Sequence, residues 1–163
     1  DLDGADGLLV GTEFGWRDLP KRGAVLVYSG HDLSPTDMTR EKTAEDAFLK
    51  VTGTEFNSEF GSTIAIVPDV DGDLSPELLV GAPMSSSTGT QAGAVYGLLS
   101  PWDSGVVSSS ALNPKVVHGD TIENLGRAIA VGDVGADGTI DILLGAPGSN
   151  TVYGLSAADL FLD

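Results

Sequence analysis

The chain has 163 residues, 41% of them hydrophobic, with 22 glycines, 8 prolines and no cysteine. That is enough apolar material for one folded domain, and it excludes a disordered acidic tail, a disulfide framework and a cysteine nucleophile. A formal net charge of −16 argues against nucleic acid and anionic membrane surfaces as partners and makes cations the natural complement.

No apolar run approaches the length of a transmembrane helix, and no signal peptide opens the chain. The first residue is Asp1, inside what reads as a loop, which predicts a segment processed or cut from a longer protein. The N-terminal stretch Asp1–Gly11, DLDGADGLLVG, joins an acidic loop to a short apolar run. Next, Glu13–Arg22 gathers Trp16, Arg17, Asp18, Lys21 and Arg22 in an otherwise acidic protein. Trp and Arg are common binding anchors, so Trp16, Arg17, Asp18 and Arg22 are candidate partner-binding residues; the competing reading has Trp16 packed under its own loop.

Gly23–Tyr28, GAVLVY, reads as a strand, and Phe48–Thr52 as an outer strand ending at Gly53. Between them Thr36–Leu49 has a helical look and is predicted to be a loop insertion with a helical turn. Phe60–Ile66 alternates as a strand does and leads into Asp69–Pro83, DVDGDLSPELLVGAP. Carboxylates stand at positions 1, 3, 5 and 9 of that loop, as Asp69, Asp71, Asp73 and Glu77. In a curled loop alternate residues turn inward, so the three aspartates converge, Ser75 can add its carbonyl and Glu77 can close the far side. An all-oxygen cage on a flexible loop suits calcium, and without a cation the like charges repel. Leu78–Val80 is too short for a helix and apolar enough for a buried strand.

The remainder repeats this order. Gly93–Leu99 and Lys115–His118 are strands, Leu125–Val131 alternates like Phe60–Ile66, and Asp133–Pro147, DVGADGTIDILLGAP, returns the acidic loop and its strand before Asn150–Leu155. The first strand residues Leu8, Leu78 and Ile142 are spaced by 70 and 64 residues (8 to 78, 78 to 142), a period suited to four-stranded propeller blades. Approximate repeats are 1–53, 54–119 and 120–163, with Ala157–Asp163 placed around a fourth strand. His31 and His118 fall in different repeats and read as surface or strand-end residues. Ser85–Ser87 read as part of a solvated loop, and Trp102 as a packing residue on the side of the acidic loops.

Phe60-Gly61 and Gly81-Ala82-Pro83 around an acidic loop, repeated as Leu125-Gly126 and Gly145-Ala146-Pro147, resemble the FG-GAP repeat of integrin alpha-subunit propellers and their bacterial relatives. The resemblance implies an all-β fold, a β-propeller segment of four-stranded antiparallel blades, about two and a half in this chain. It implies that the acidic loops bind Ca2+ on one face, with ligands meeting the opposite face. Carried over by residue, the metal ligands are Asp69, Asp71, Asp73, Ser75 and Glu77 in the second repeat, although Leu74 stands where the family has glycine, a flexibility assigned instead to Gly72. In the third repeat they are Asp133, Asp137, Thr139 and Asp141, with Gly135 removing one ligand. In the first they are Asp1 and Asp3, with Gly7 in place of the closing carboxylate.

No catalytic residues are expected. The function implied is a calcium-binding structural and adhesive interaction module, extracellular or at the cell surface. The alternatives are an accessory propeller segment of a larger secreted hydrolase or lyase, or a carbohydrate-binding propeller. The expected partners are a protein or glycan ligand, and either further blades of a parent chain or self-assembly to close the ring. Neither nucleic acid nor membrane insertion is expected.

Overall fold

A computed structural model describes residues 7–12, 22–30, 41–100 and 102–162. The second repeat forms a complete blade, in which β4 (Thr63–Val67), β5 (Glu77–Ala82), β6 (Ala94–Leu98) and β8 (Lys115–His118) pair antiparallel in that order. The third repeat gives β9 (Ala128–Gly132), β10 (Asp141–Ala146) and β11 (Thr151–Ser156), again antiparallel. The first gives β1 (Leu8–Thr12), β2 (Ala24–Tyr28) and β3 (Leu49–Thr52). The chain is therefore a partial β-propeller, and the strands expected from alternation and apolar runs are present.

Its blades are held together by apolar side chains from facing sheets. Between the first and second blades lie Val25, Leu49, Val51, Phe60, Leu78 and Val80, all at most 1% exposed. Between the second and third lie Val67, Leu79, Val95, Leu125, Ile142 and Leu144. Alternation along β5 explains the division: Leu78 and Val80 point to one neighbour and Leu79 to the other. A strand buried on both faces must be a continuous apolar run, as Leu78–Val80 is. Each such side chain contributes about 1.5–3 kcal/mol by leaving water.

The glycines of the repeat have a backbone reason. Within a blade the Gly61 amide donates to the Gly81 carbonyl at 2.9 Å, and the Gly126 amide to the Gly145 carbonyl at 3.0 Å. Between blades, Phe60 bridges Gly23 and Leu125 bridges Gly93, both in parallel. Gly23, Gly61, Gly93 and Gly126 all have positive φ and pack against backbone of the neighbouring repeat, so they carry both the turn and the close approach.

Three features depart from the sequence reading. Ala157–Phe161 is a short helix, α1, and not a fourth strand. The Ser156 hydroxyl caps it by accepting from the Asp159 amide at 3.0 Å, and Ala157, Leu160 and Phe161 share one buried face against the last inter-blade core. Second, β7 (Gly105–Ser108) was not foreseen; the connection from β6 to β8 leaves its own blade and pairs in parallel with β3 of the preceding one. Third, Ser85–Ser87 is not a merely solvated loop. Ser85 is fully buried, its hydroxyl and the Ser86 amide donate to Glu55, and Ser87 Oγ meets His118 Nδ1 at 3.2 Å. In the Thr36–Leu49 stretch, the described part contains one 3₁₀ turn, Ala44–Asp46, capped by Thr43. Residues 31–40, with His31, lie outside the described residues.

Candidate metal centre

The loop between β4 and β5 folds around its own carboxylates. Asp69 accepts from the Gly72 and Leu74 amides through its two oxygens, at 2.7 and 3.0 Å. Asp71 accepts from the Asp73 amide at 3.1 Å, and Asp73 from the Ser75 amide at 2.7 Å. Glu77, the first residue of β5, accepts from the Val70 amide through Oε2 at 3.1 Å. These bonds curl the loop so that one carboxylate oxygen each from Asp69, Asp71, Asp73 and Glu77 lies within 4.8 Å of the others. The three aspartates are exposed and Glu77 is buried, giving a cage open on one side.

Glu77 is the informative member. It is 0% exposed, and its Oε1 has no hydrogen-bond partner. A buried unpaired carboxylate oxygen is costly. Burial raises the Glu77 pKa, the Val70 amide opposes that, and the charges of Asp71 and Asp69 add to it. A divalent cation among the four carboxylates would satisfy the orphaned oxygen and cancel the repulsion, which is the chemistry of a hard-cation site.

Two residues of the loop are left-handed, Gly72 at φ +86° and Leu74 at φ +71°. Leu74 thus adopts the glycine-like conformation itself, and Gly72 does not substitute for it. The loop between β9 and β10 repeats the pattern with the residues exchanged: Ala136 has φ +53° and Gly138 φ +86°.

That third-repeat loop is wired differently. Asp133 accepts from the Asp137 and Gly138 amides, and Asp141 from the Val134 and Gly135 amides. Asp137 is turned onto Thr139, accepting from its hydroxyl at 2.6 Å and its amide at 2.9 Å, and these bonds lower its pKa. Among the described residues, only the Asp69–Glu77 loop brings three or more such ligand atoms within 4.8 Å of one another. Gly135 supplies no carboxylate, and Asp141 is one methylene shorter than its counterpart Glu77. Asp1, Asp3, Trp16, Arg17 and Asp18 lie outside the described residues. Gly7 precedes β1 and offers no side chain, while Arg22 is exposed and its carbonyl accepts from Ser58 Oγ at 3.4 Å.

Sequence reasoning missed Ser100. Its hydroxyl reaches both oxygens of Asp73 at 3.3 Å, a contact across 27 positions that only the fold creates. The Ser87–His118 contact is no hydrolytic triad, because the neighbouring acid, Glu55, is bonded to Ser85 and Ser86 instead of the imidazole. Among the described residues no helix is long and apolar enough to cross a membrane.

Residues 60–98 match the FG-GAP repeat model. Phosphatidylinositol-glycan-specific phospholipase D of Homo sapiens is 33% identical over 142 residues, covering 83% of this chain and 16% of that protein. The Rattus norvegicus enzyme is 34% identical over the same length. Integrin alpha-3 of Cricetulus griseus is 33% identical over 135 residues, 80% of this chain and 12% of the integrin. The chain thus spans only 12–16% of the length of these relatives.

Proposed function

Because the chain belongs to the FG-GAP repeat family, we propose that it is a calcium-binding propeller segment, a structural and adhesive interaction module that works outside the cell or at its surface. The observation that carries the calcium reading is the convergence of Asp69, Asp71, Asp73 and Glu77, the last of which is buried with its Oε1 unpartnered. Ser75, at position 7, supplies a backbone carbonyl to the same cation. An exposed, carboxylate-rich loop fits the weak, millimolar class of calcium sites found in extracellular modules. There the ion acts as a staple between β4 and β5, stabilising the folded chain by mass action.

Calorimetric titration of the chelator-stripped chain tests this. One dominant calcium site, much weaker magnesium binding, and loss of the heat in Asp71→Asn are expected. Absence of calcium binding in the intact chain would reduce the conclusion to the fold alone.

Further FG-GAP blades, from a parent chain or a second copy, are the proposed neighbours. Val95 is fully buried under the third blade, whereas its counterpart Val152 is 67% exposed on the matching face of that blade. Light scattering distinguishes the two sources, since a monodisperse monomer excludes self-assembly. A protein or glycan ligand is proposed for the face opposite the cation loops.

A second reading has its own support. The match to a phospholipase D favours an accessory propeller segment within a larger hydrolase, with the chemistry elsewhere in that protein. A separate catalytic domain in the parent sequence decides in its favour.

A further inference from the structure

The cation loop of the second blade touches the one segment that leaves that blade. Beyond β6 the chain passes Ser100, whose hydroxyl donates to Asp73, and Trp102, which packs against the core between the first and second blades. It then forms β7, where the Gly105 amide donates to the Phe48 carbonyl at 2.9 Å and Gly105–Ser108 runs parallel to Leu49–Thr52 of the first blade. Farther on, the Thr52 hydroxyl donates to the Val107 carbonyl at 3.2 Å. This segment is a strap laid by one blade across its neighbour, and Ser100 stands at its root.

We infer that cation binding in the Asp69–Glu77 loop and docking of the strap on the first blade are coupled, with Ser100 as the positioning residue between them. The inference rests on the calcium reading above. The physical reason is the geometry of Asp73. Its Oδ1 is held by the Ser75 amide at 2.7 Å, and the Ser100 hydroxyl lies 3.3 Å from both carboxylate oxygens. A group that hydrogen-bonds to a metal-ligating carboxylate fixes that ligand's orientation. Fixing Asp73 on a cation in turn fixes Ser100, and with it the start of a strap that otherwise rests on an exposed edge: Val106 is 62% exposed. Coupling of this kind is reciprocal, so a docked strap raises cation affinity by the factor by which the cation favours docking.

The test is hydrogen exchange of the full chain with calcium and with chelator. In the unsubstituted chain calcium is expected to slow exchange in 69–77 and, by about fivefold or more, in 105–108 and 49–52. Ser100→Ala should keep the loop protection and lose the gain in β7 and β3, and Ser100→Thr, which retains the hydroxyl, should restore it. A remote variant checks reciprocity: Gly105→Pro removes the donor to the Phe48 carbonyl and cannot adopt the φ of +127° found at Gly105, so it opens the start of β7 away from the loop and should weaken calcium binding by a factor matching that opening.

Protection of the loop alone, an unchanged response in Ser100→Ala, or an unchanged calcium affinity in Gly105→Pro each overturns the coupling while leaving the calcium site standing. Calcium that protects neither region overturns the calcium reading, and the coupling with it.

Discussion

Gly81 and Gly126 meet backbone to backbone across the boundary between the second and third blades: the Gly126 carbonyl occupies the space a Cβ on Gly81 would need. Gly11 and Gly61 repeat the contact one boundary earlier. Backbone cannot rotate away as a long side chain can, so Gly81→Ala must push the blades apart. A loss of about 1–3 kcal/mol is expected from overpacking. Gly145 holds the same motif position in the third blade, yet a Cβ there meets only the Ala128 methyl at 3.2 Å and its backbone at 3.5 Å or more. Gly145→Ala should therefore lose well under half as much. Urea unfolding of the two variants makes the comparison, and equal losses would refute the inter-blade explanation of the motif.

Leu74 sits at φ +71° with 90% of its surface exposed. Its side chain buries almost nothing, while its backbone carries the left-handed penalty of about 1–2 kcal/mol for an L-residue. Glycine removes that strain and adds part of it back as unfolded-state entropy. Leu74→Gly is expected to stabilise the calcium-free chain by about 0.5–1 kcal/mol, measured by chemical unfolding in chelator. A destabilised variant would mean that Leu74 makes a contact its exposure denies.

Much of this architecture was legible because its causes are local. Leu78–Val80 had to be buried on both faces, and the spacing of Asp69, Asp71, Asp73 and Glu77 anticipates a loop that turns them inward. What escaped had non-local causes. β7 pairs with a strand more than 50 residues away (Leu49 with Gly105), and nothing in GVVS distinguishes a strap from an ordinary edge. The Ser100–Asp73 contact exists only once β6 has delivered the chain to the loop. The burial of Ser85 depends on Glu55 arriving from the preceding connection. Conversely, the signals for α1 are local, with Ser156 as cap and Ala157, Leu160 and Phe161 on one face, and they override the strand that the repeat period predicts there.

Glu123 gives the fold a pH dependence. It is 8% exposed, and its carboxylate accepts from the Asp120 amide at 2.9 Å and the Tyr153 hydroxyl at 2.7 Å. The Asp120 hydrogen bond and then the Tyr153 hydrogen bond lower its pKa. An acid with a lowered folded pKa binds fewer protons folded than unfolded in the window between the two values. Its contribution is therefore complete above the unfolded value, about 4.3, and is lost as pH falls through the folded one. Tyr153→Phe removes one of these donors, so the variant should be less stable at neutral pH and should lose less on acidification. Urea midpoints from about pH 7 to about pH 3 read both effects, and parallel curves for the two proteins would sink the assignment.

The two acidic loops should differ in what calcium does through them. In the second blade four carboxylates converge and one buried oxygen waits for a partner. In the third, Gly135 contributes no ligand, and Asp137 is already engaged by the Thr139 hydroxyl and amide. With fewer converging carboxylates, the third loop is expected to bind a cation more weakly. Stabilisation by a ligand grows as RT ln(1 + [L]/Kd), so at a calcium concentration between the two dissociation constants only the tighter site contributes. Asp71→Ala is accordingly expected to abolish most of the calcium-dependent rise in Tm, and Asp137→Ala to leave most of it in place. In chelator the order should reverse. Asp71→Ala relieves repulsion among crowded carboxylates and destabilises little, whereas Asp137→Ala removes the two bonds that hold its own turn. Thermal unfolding of both variants, with and without calcium, separates these effects. Equal calcium shifts in the two would show that the convergence at Asp69–Glu77 does not set affinity.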